Sequence, residues 1–119
     1  MFTMVETATG LFAIAALGGL IMAVIRFSGK PLPPAWLAML HGFIAAAGLT
    51  LLIFAILTEV VPATAQWALV LFLAAAAGGV VMYLGFRAKM KPLPRALMVL
   101  HAGLAMGGVV LMIVSVMQS

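Results

Sequence analysis

The chain has 119 residues, of which 67% are hydrophobic and 7% charged, and its mean hydropathy is +1.37. This composition excludes a soluble domain and is typical of polytopic membrane proteins, so we expect one transmembrane domain over residues 1–119. The absence of cysteine excludes disulfides and thiolate chemistry. The net charge of +4 is concentrated in short turns beside apolar runs, which argues against nucleic-acid binding.

Four long apolar stretches predict four transmembrane helices, because about 20 apolar residues are enough to cross the hydrocarbon core of a bilayer. The predicted helices run from Gly10 to Ile25, with Thr7 to Thr9 as an extension, and then from Pro34 to Thr58, Ala63 to Phe86 and Arg95 to Met117. Proline-rich turns at 26–34 and 87–95 follow the first and third helices. The sequence therefore predicts an all-α membrane protein.

An internal repeat divides the chain into two halves. The segment KPLPPAWLAMLHGFIAAAG, from Lys30 to Gly48, returns as KPLPRALMVLHAGLAMGG, from Lys91 to Gly108. We place repeat 1 at 7–58 and repeat 2 at 64–117, with two helices in each. Because an even number of spans separates the copies, the two repeats run parallel. We therefore expect an antiparallel four-helix bundle with a pseudo-two-fold axis along the membrane normal.

The charges are segregated along the chain. All six basic residues lie in or beside the turns 26–34 and 87–95, whereas the two acids, Glu6 and Glu59, lie on the opposite side. The positive-inside rule then predicts that these two turns face the cytoplasm and that both termini lie outside. We expect the chain to be integral to the cytoplasmic (inner) membrane.

The two histidines, His41 and His101, occupy matching positions in the repeats and are the only histidines present. Each lies seven residues past a proline, Pro34 or Pro94, which corresponds to about 10 Å inside the membrane boundary. Ionisable side chains at such depth usually face the bundle interior and have a partner there. If the second and fourth helices are diagonal neighbours, the gap suits two imidazoles with a metal between them. We predict both histidines to be metal ligands.

Small and polarizable residues surround the predicted histidine level, which suits a flat macrocycle such as haem b with iron between neutral imidazoles. The expected macrocycle contacts are Gly18, Gly19, Met22, Gly78, Gly79 and Met82 on the odd-numbered helices and Ala45, Gly48, Ala105 and Gly108 on the even-numbered ones. The cations expected to bind its propionates are Arg26, Lys30, Arg87, Lys91 and Arg95. Small residues at these spacings also mediate ordinary packing of membrane helices, which is the alternative interpretation for each glycine.

In layout, the four helices with His41 and His101 resemble the four-helix membrane cytochromes b, which hold haem b between histidines on different helices. The resemblance implies a single haem b between His41 and His101. The b561-type members usually carry two histidine pairs for two haems, one near each surface, whereas this chain has one pair only.

The leading interpretation is therefore an electron-transfer subunit that holds one haem, without catalytic residues and without being an enzyme by itself. We expect its partners to be the lipid bilayer, another membrane subunit or a homodimer partner, and quinone as the electron donor or acceptor. An alternative is a non-catalytic accessory subunit of a larger respiratory or photosynthetic complex, whose histidines bind another macrocycle or only pack. A third is a small-solute transporter with a histidine proton relay, although the broken helices typical of such proteins are missing.

Overall fold

The computed structural model describes all 119 residues as four long helices joined by short turns. The helices are α1 (Met4–Phe27), α2 (Ala35–Thr58), α3 (Ala63–Met82), which continues as a π-helix (Tyr83–Arg87), and α4 (Arg95–Met117). All four are long and apolar enough to cross a membrane, which confirms the prediction of four such helices. The molecule measures 43 × 21 × 21 Å.

Helix α1 begins at Met4 rather than at Gly10, because a capping box starts it. The Thr3 side chain accepts a hydrogen bond from the Glu6 backbone N–H (3.1 Å), and the Thr3 N–H donates to the Glu6 carboxylate (2.9 Å). A Thr followed three residues later by Glu is a known sequence signal for a helix start, and the apolar pattern alone missed it. Helices α2 and α4 begin directly after Pro34 and Pro94 and end at Thr58 and Met117. They match the predicted bounds closely.

Contacts between glycines and aromatic rings organise the helices into two close pairs. Gly18 and Gly19 of α1 lie beside the His41 ring of α2, and Phe12 lies against Gly48, so positions rise along α1 as they fall along α2. Helices α3 and α4 make the corresponding contacts. Gly78 and Gly79 lie beside His101, and Phe72 lies against Gly108.

The two helix pairs meet at a buried aromatic stack. The Phe12 and Phe72 rings lie with their centroids 3.7 Å apart and their planes 14° from parallel. Both rings belong to the buried core, which comprises Val5, Ala8, Phe12, Leu52, Ala55, Ala65, Ala68, Phe72, Val109 and Met112. This core occupies the half of the molecule that contains both chain ends. We call this half the terminal end and the half with the turns 28–34 and 88–94 the basic end.

The π-helix accommodates one extra residue in the second repeat. Met22 and Met82 match at a shift of 60 residues, whereas Arg26 and Arg87 match at a shift of 61. A π-turn absorbs such an insertion without breaking the helix. The shift of 61 continues into the start of the turns that follow. Gly29 (φ 115°) and Met90 (φ 56°), which are matched at this shift, both adopt the left-handed conformation.

Candidate functional site

The functional candidate lies at the level of the two histidines, where each imidazole is held by the partner helix of its own pair. His41 Nδ1 lies 2.7 Å from the carbonyl oxygen of Ala15, and His101 Nδ1 lies 2.6 Å from that of Ala75. A carbonyl oxygen only accepts, so Nδ1 donates in both cases. In the neutral imidazole the proton is then on Nδ1, and the lone pair of Nε2 is free to bind a metal.

The glycine pairs make these hydrogen bonds possible. An added Cβ at Gly19 would lie 3.2 Å from His41 Cε1, and one at Gly79 would lie 3.3 Å from His101 Cε1. At Gly18 and Gly78 the nearest ring or Cβ atoms would be 3.8 Å away. The glycines predicted to contact a macrocycle are thus the surfaces against which the imidazoles themselves pack. Without side chains there, each ring reaches a carbonyl on the neighbouring helix.

The two imidazoles approach each other across the interface between the helix pairs. Their ring centroids are 6.1 Å apart, and their planes are inclined by 68°. Metal–imidazole bonds of about 2.0–2.1 Å place two rings that share one metal with centroids on the order of 6 Å apart. The centroid distance between His41 and His101 is of this order.

Residues at the histidine level are less buried than those of the terminal half. The small residues at this depth, Gly18, Gly19, Ala45, Gly78, Gly79 and Ala105, are all half-buried, and none belongs to the buried core. The two methionines predicted to contact the macrocycle differ in burial, since Met22 is half-buried and Met82 is buried. The histidine level is therefore lined by small residues that are only half-buried.

Gly48 and Gly108 lie one layer away from the histidines. An added Cβ would lie 3.1 Å from the Phe12 ring at Gly48 and 2.6 Å from the Phe72 ring at Gly108. Seven residues after each histidine, they are about 10 Å deeper along the helix. These two glycines accommodate the stacked phenylalanines, which close the histidine level from the terminal end.

Two arginines link the helix pairs at the basic end. Arg26 Nε donates to the carbonyl oxygen of Leu93, and Arg87 Nε donates to that of Pro33, each at 3.0 Å. Leu93 and Pro33 are both buried. Leu93 lies in the turn before α4 and Pro33 in the turn before α2, so each arginine binds the turn of the opposite repeat. The backbone N–H of Leu93 also donates to Pro31 (3.2 Å). We call this set of hydrogen bonds the arginine clasp.

The predicted cations differ in their position relative to the site. Arg26 and Arg87 are half-buried and reach the opposite turn, whereas Lys30, Lys91 and Arg95 are exposed. Arg95 lies over the ring of Phe27, with Cζ 5.9 Å from the centroid. Only Arg26 and Arg87 therefore face the interface between the two helix pairs.

Three elements of the site were absent from the sequence prediction: the carbonyls of Ala15 and Ala75, the Phe12–Phe72 stack and the arginine clasp. A signal for the stack was present, because Phe12 and Phe72 precede the matching glycine pairs by the same spacing. The carbonyls and the clasp involve backbone oxygens. Every residue has one, so the sequence does not show which of them accepts a hydrogen bond.

No group of three or more His, Cys, Asp or Glu side chains lies close enough together to hold a metal ion. No protein family matches the sequence, and no curated protein or solved structure matches the chain.

Proposed function

We propose that this chain is an integral membrane protein that binds one haem b between His41 and His101 and serves as an electron-transfer subunit. The observation that carries the proposal is the matched imidazole pair: both Nδ1 atoms are tied to backbone carbonyls, and the ring centroids are 6.1 Å apart. Two half-buried imidazoles whose Nδ1 atoms hold the carbonyls keep their Nε2 lone pairs for a ligand, and at this spacing they are suited to bind one metal from two sides.

The tether on Nδ1 is the usual support of a metal-bound histidine. A histidine ligand generally donates its second ring N–H to a carbonyl or carboxylate, which selects the tautomer, orients the ring and raises the basicity of the ligating nitrogen. Ala15 and Ala75 provide this acceptor for His41 and His101.

The residues around the imidazoles favour a flat, anionic cofactor. Half-buried glycines and alanines flank the rings, and the stacked Phe12 and Phe72 close the level below. Arg26 and Arg87 each use Nε for a turn carbonyl and retain further N–H groups, which suit propionate carboxylates. When bound, haem supplies one-electron redox chemistry, and this chain contributes the ligands, the orientation and the apolar surroundings.

The matched contacts also support the proposed architecture, an antiparallel bundle of two parallel two-helix repeats. The His–carbonyl, glycine–imidazole and glycine–phenylalanine contacts of α1 and α2 recur in α3 and α4 at a shift of 60 residues. The segregation of the six basic residues supports a cytoplasmic location for the turns 26–34 and 87–95, with both termini outside.

A single haem near the basic end would carry electrons over part of the membrane only. The chain would therefore act with a second membrane subunit or a second copy of itself, and a quinol or a protein partner would exchange electrons at the cytoplasmic side. The resemblance to four-helix membrane cytochromes b, which rests on the helices and the two histidines, is consistent with this role.

The test is the absorption spectrum of the chain purified from cells that make haem. We expect a low-spin b-type spectrum with about one haem per chain, five-coordinate or haem-free His41→Ala and His101→Ala variants that behave alike, and no haem in the double variant. His41→Asn is the sharper control, because its amide nitrogen takes the place of Nδ1 and still donates to the Ala15 carbonyl, whereas the amide binds iron poorly. A colourless wild type, or a spectrum indifferent to His101→Ala, would contradict the proposal and favour the accessory-subunit interpretation.

A further inference from the structure

An apolar groove runs between α1 and α4 at the basic end, next to His101 but on the outer surface of the molecule. Its volume is about 350 Å³, and it is lined by Ala23 and Phe27 of α1 and by α4 residues between Met98 and Met106. On α4 the lining extends from Met98 to Met106, or about 12 Å along the helix axis. The groove is open to the side on which we place the hydrocarbon of the membrane, and its length and apolar lining suit part of an alkyl chain.

The mouth of this groove carries an exposed cation. Arg95 lies over the ring of Phe27, a lining residue, with Cζ 5.9 Å from the ring centroid. Both acids of the chain, Glu6 and Glu59, belong to the terminal end. No carboxylate of this chain therefore neutralises Arg95, and an anion from outside the chain can bind there.

The first turn of α4 adds unsatisfied hydrogen-bond donors beside Arg95. Its N-cap is Pro94, which makes no side-chain capping bond. The first backbone N–H groups of a helix have no partner within the helix, and with the helix dipole they favour a phosphate. A planar guanidinium next to them can bind phosphate oxygens in bidentate fashion.

The corresponding place between α2 and α3 lacks this combination. At a shift of 60 residues, Arg95 corresponds to Ala35, Gly103 to Phe43 and Ala23 to Tyr83. The methionines Met98 and Met106 correspond to Ala38 and Ala46, so the two sides differ in shape as well as in charge. Arg95 and Gly103 therefore have no equivalents between α2 and α3, and the cation and the glycine occur together only beside the α1–α4 groove.

We propose that the α1–α4 groove is a binding site for an anionic phospholipid, with one acyl chain in the groove and the phosphate on Arg95 and the first turn of α4. A zwitterionic lipid binds less well, because its own amine competes with Arg95 for the phosphate. The site is independent of the histidines, since Arg95 contacts Phe27 on the surface and not the interface between the helix pairs.

The experiment measures lipid binding to the full chain by native mass spectrometry, with phosphatidylglycerol and phosphatidylcholine of the same acyl chains as probes. We expect wild type to retain phosphatidylglycerol at least severalfold better than phosphatidylcholine. Arg95→Gln should abolish this preference, and Arg95→Lys should keep part of it. Gly103→Leu, which fills the groove, should weaken the binding of both lipids.

Two matched controls remove a charge or a glycine elsewhere. Lys89→Gln removes an exposed cation at the same end, and Gly42→Leu fills an open glycine position on α2. Neither should change the lipid preference. Equal losses in Lys89→Gln and Arg95→Gln would overturn the proposal in favour of general charge attraction. A short-chain ubiquinone that displaces both lipids, with affinity unchanged in Arg95→Gln, would overturn it in favour of a quinone site.

Discussion

Phe12 and Phe72 stack at the centre of the molecule with ring centroids 3.7 Å apart, and each ring also covers a glycine of its own helix pair, Gly48 or Gly108. The two phenylalanines stand at matching positions of the repeats, as do His41 and His101. The same interface therefore brings together both pairs of equivalent residues.

Loss of either stacked ring should destabilise the chain strongly. Phe12→Ala or Phe72→Ala leaves a cavity in the buried core and should cost about 3–5 kcal/mol in the free energy of unfolding. Thermal or denaturant unfolding in detergent measures this loss. Phe43→Ala is the control, because its side chain is 68% exposed and should change stability by at most about 0.5 kcal/mol. Equal losses in Phe43→Ala and Phe72→Ala would contradict the central role of the stack.

A methyl group at the glycine pairs should disturb the imidazoles according to distance. Gly19→Ala and Gly79→Ala place a Cβ 3.2 and 3.3 Å from an imidazole carbon, whereas Gly18→Ala leaves 3.8 Å. We expect the first two to weaken the hydrogen bond from Nδ1 to Ala15 or Ala75, and Gly18→Ala to have a smaller effect. The ¹⁵N chemical shifts of the imidazoles report this directly and need no cofactor.

Gly10→Ala is the matched control, since nothing lies within 4 Å of an added Cβ there. Alanine is favoured over glycine inside a helix by roughly 0.5–1 kcal/mol, so this variant should be as stable as wild type or more so. The imidazole shifts should not change. If Gly10→Ala changed the ¹⁵N chemical shifts of the imidazoles as much as Gly19→Ala does, the distance from the added Cβ to the ring would not matter.

Breaking the arginine clasp should loosen the basic end without affecting the terminal core. Arg26→Gln and Arg87→Gln each remove a charged donor from a buried turn carbonyl, and such bonds contribute about 1.5–3 kcal/mol. Hydrogen exchange at the turns 28–34 and 88–94 should accelerate in both variants. Lys89→Gln serves as control, because Lys89 is exposed. Exchange in the turns that is as fast in Lys89→Gln as in Arg87→Gln would argue against the clasp.

The orientation can be tested by cysteine labelling, because the chain has no cysteine of its own. In intact cells, a membrane-impermeant thiol reagent should label Ser119→Cys but not Ser28→Cys. After the membrane is permeabilised, it should label Ser28→Cys as well. The reason is the concentration of basic residues around Ser28. Labelling of Ser28→Cys in intact cells, without labelling of Ser119→Cys, would reverse the proposed orientation and the side of the haem site.

The sequence by itself determined the features that depend on local composition. Stretches of apolar residues predicted the four helices, because insertion into a bilayer depends on hydrophobicity summed over about 20 residues. The repeat identified His41 and His101 as a pair before their distance was known. The start of α1 was also encoded, in Thr3 and Glu6, but the hydrophobic pattern is insensitive to a polar capping box.

The tertiary structure alone decided which groups meet across the helices. A helical wheel places Gly19, Gly48 and His41 on faces, but it does not distinguish a glycine that accommodates an imidazole from one that accommodates a phenylalanine ring. The backbone acceptors on Ala15, Ala75, Pro33 and Leu93 are equally invisible, because every residue carries a carbonyl. The packing within each helix pair determines which carbonyl lies within 3 Å of a histidine. The relative placement of the two pairs determines which carbonyl an arginine reaches.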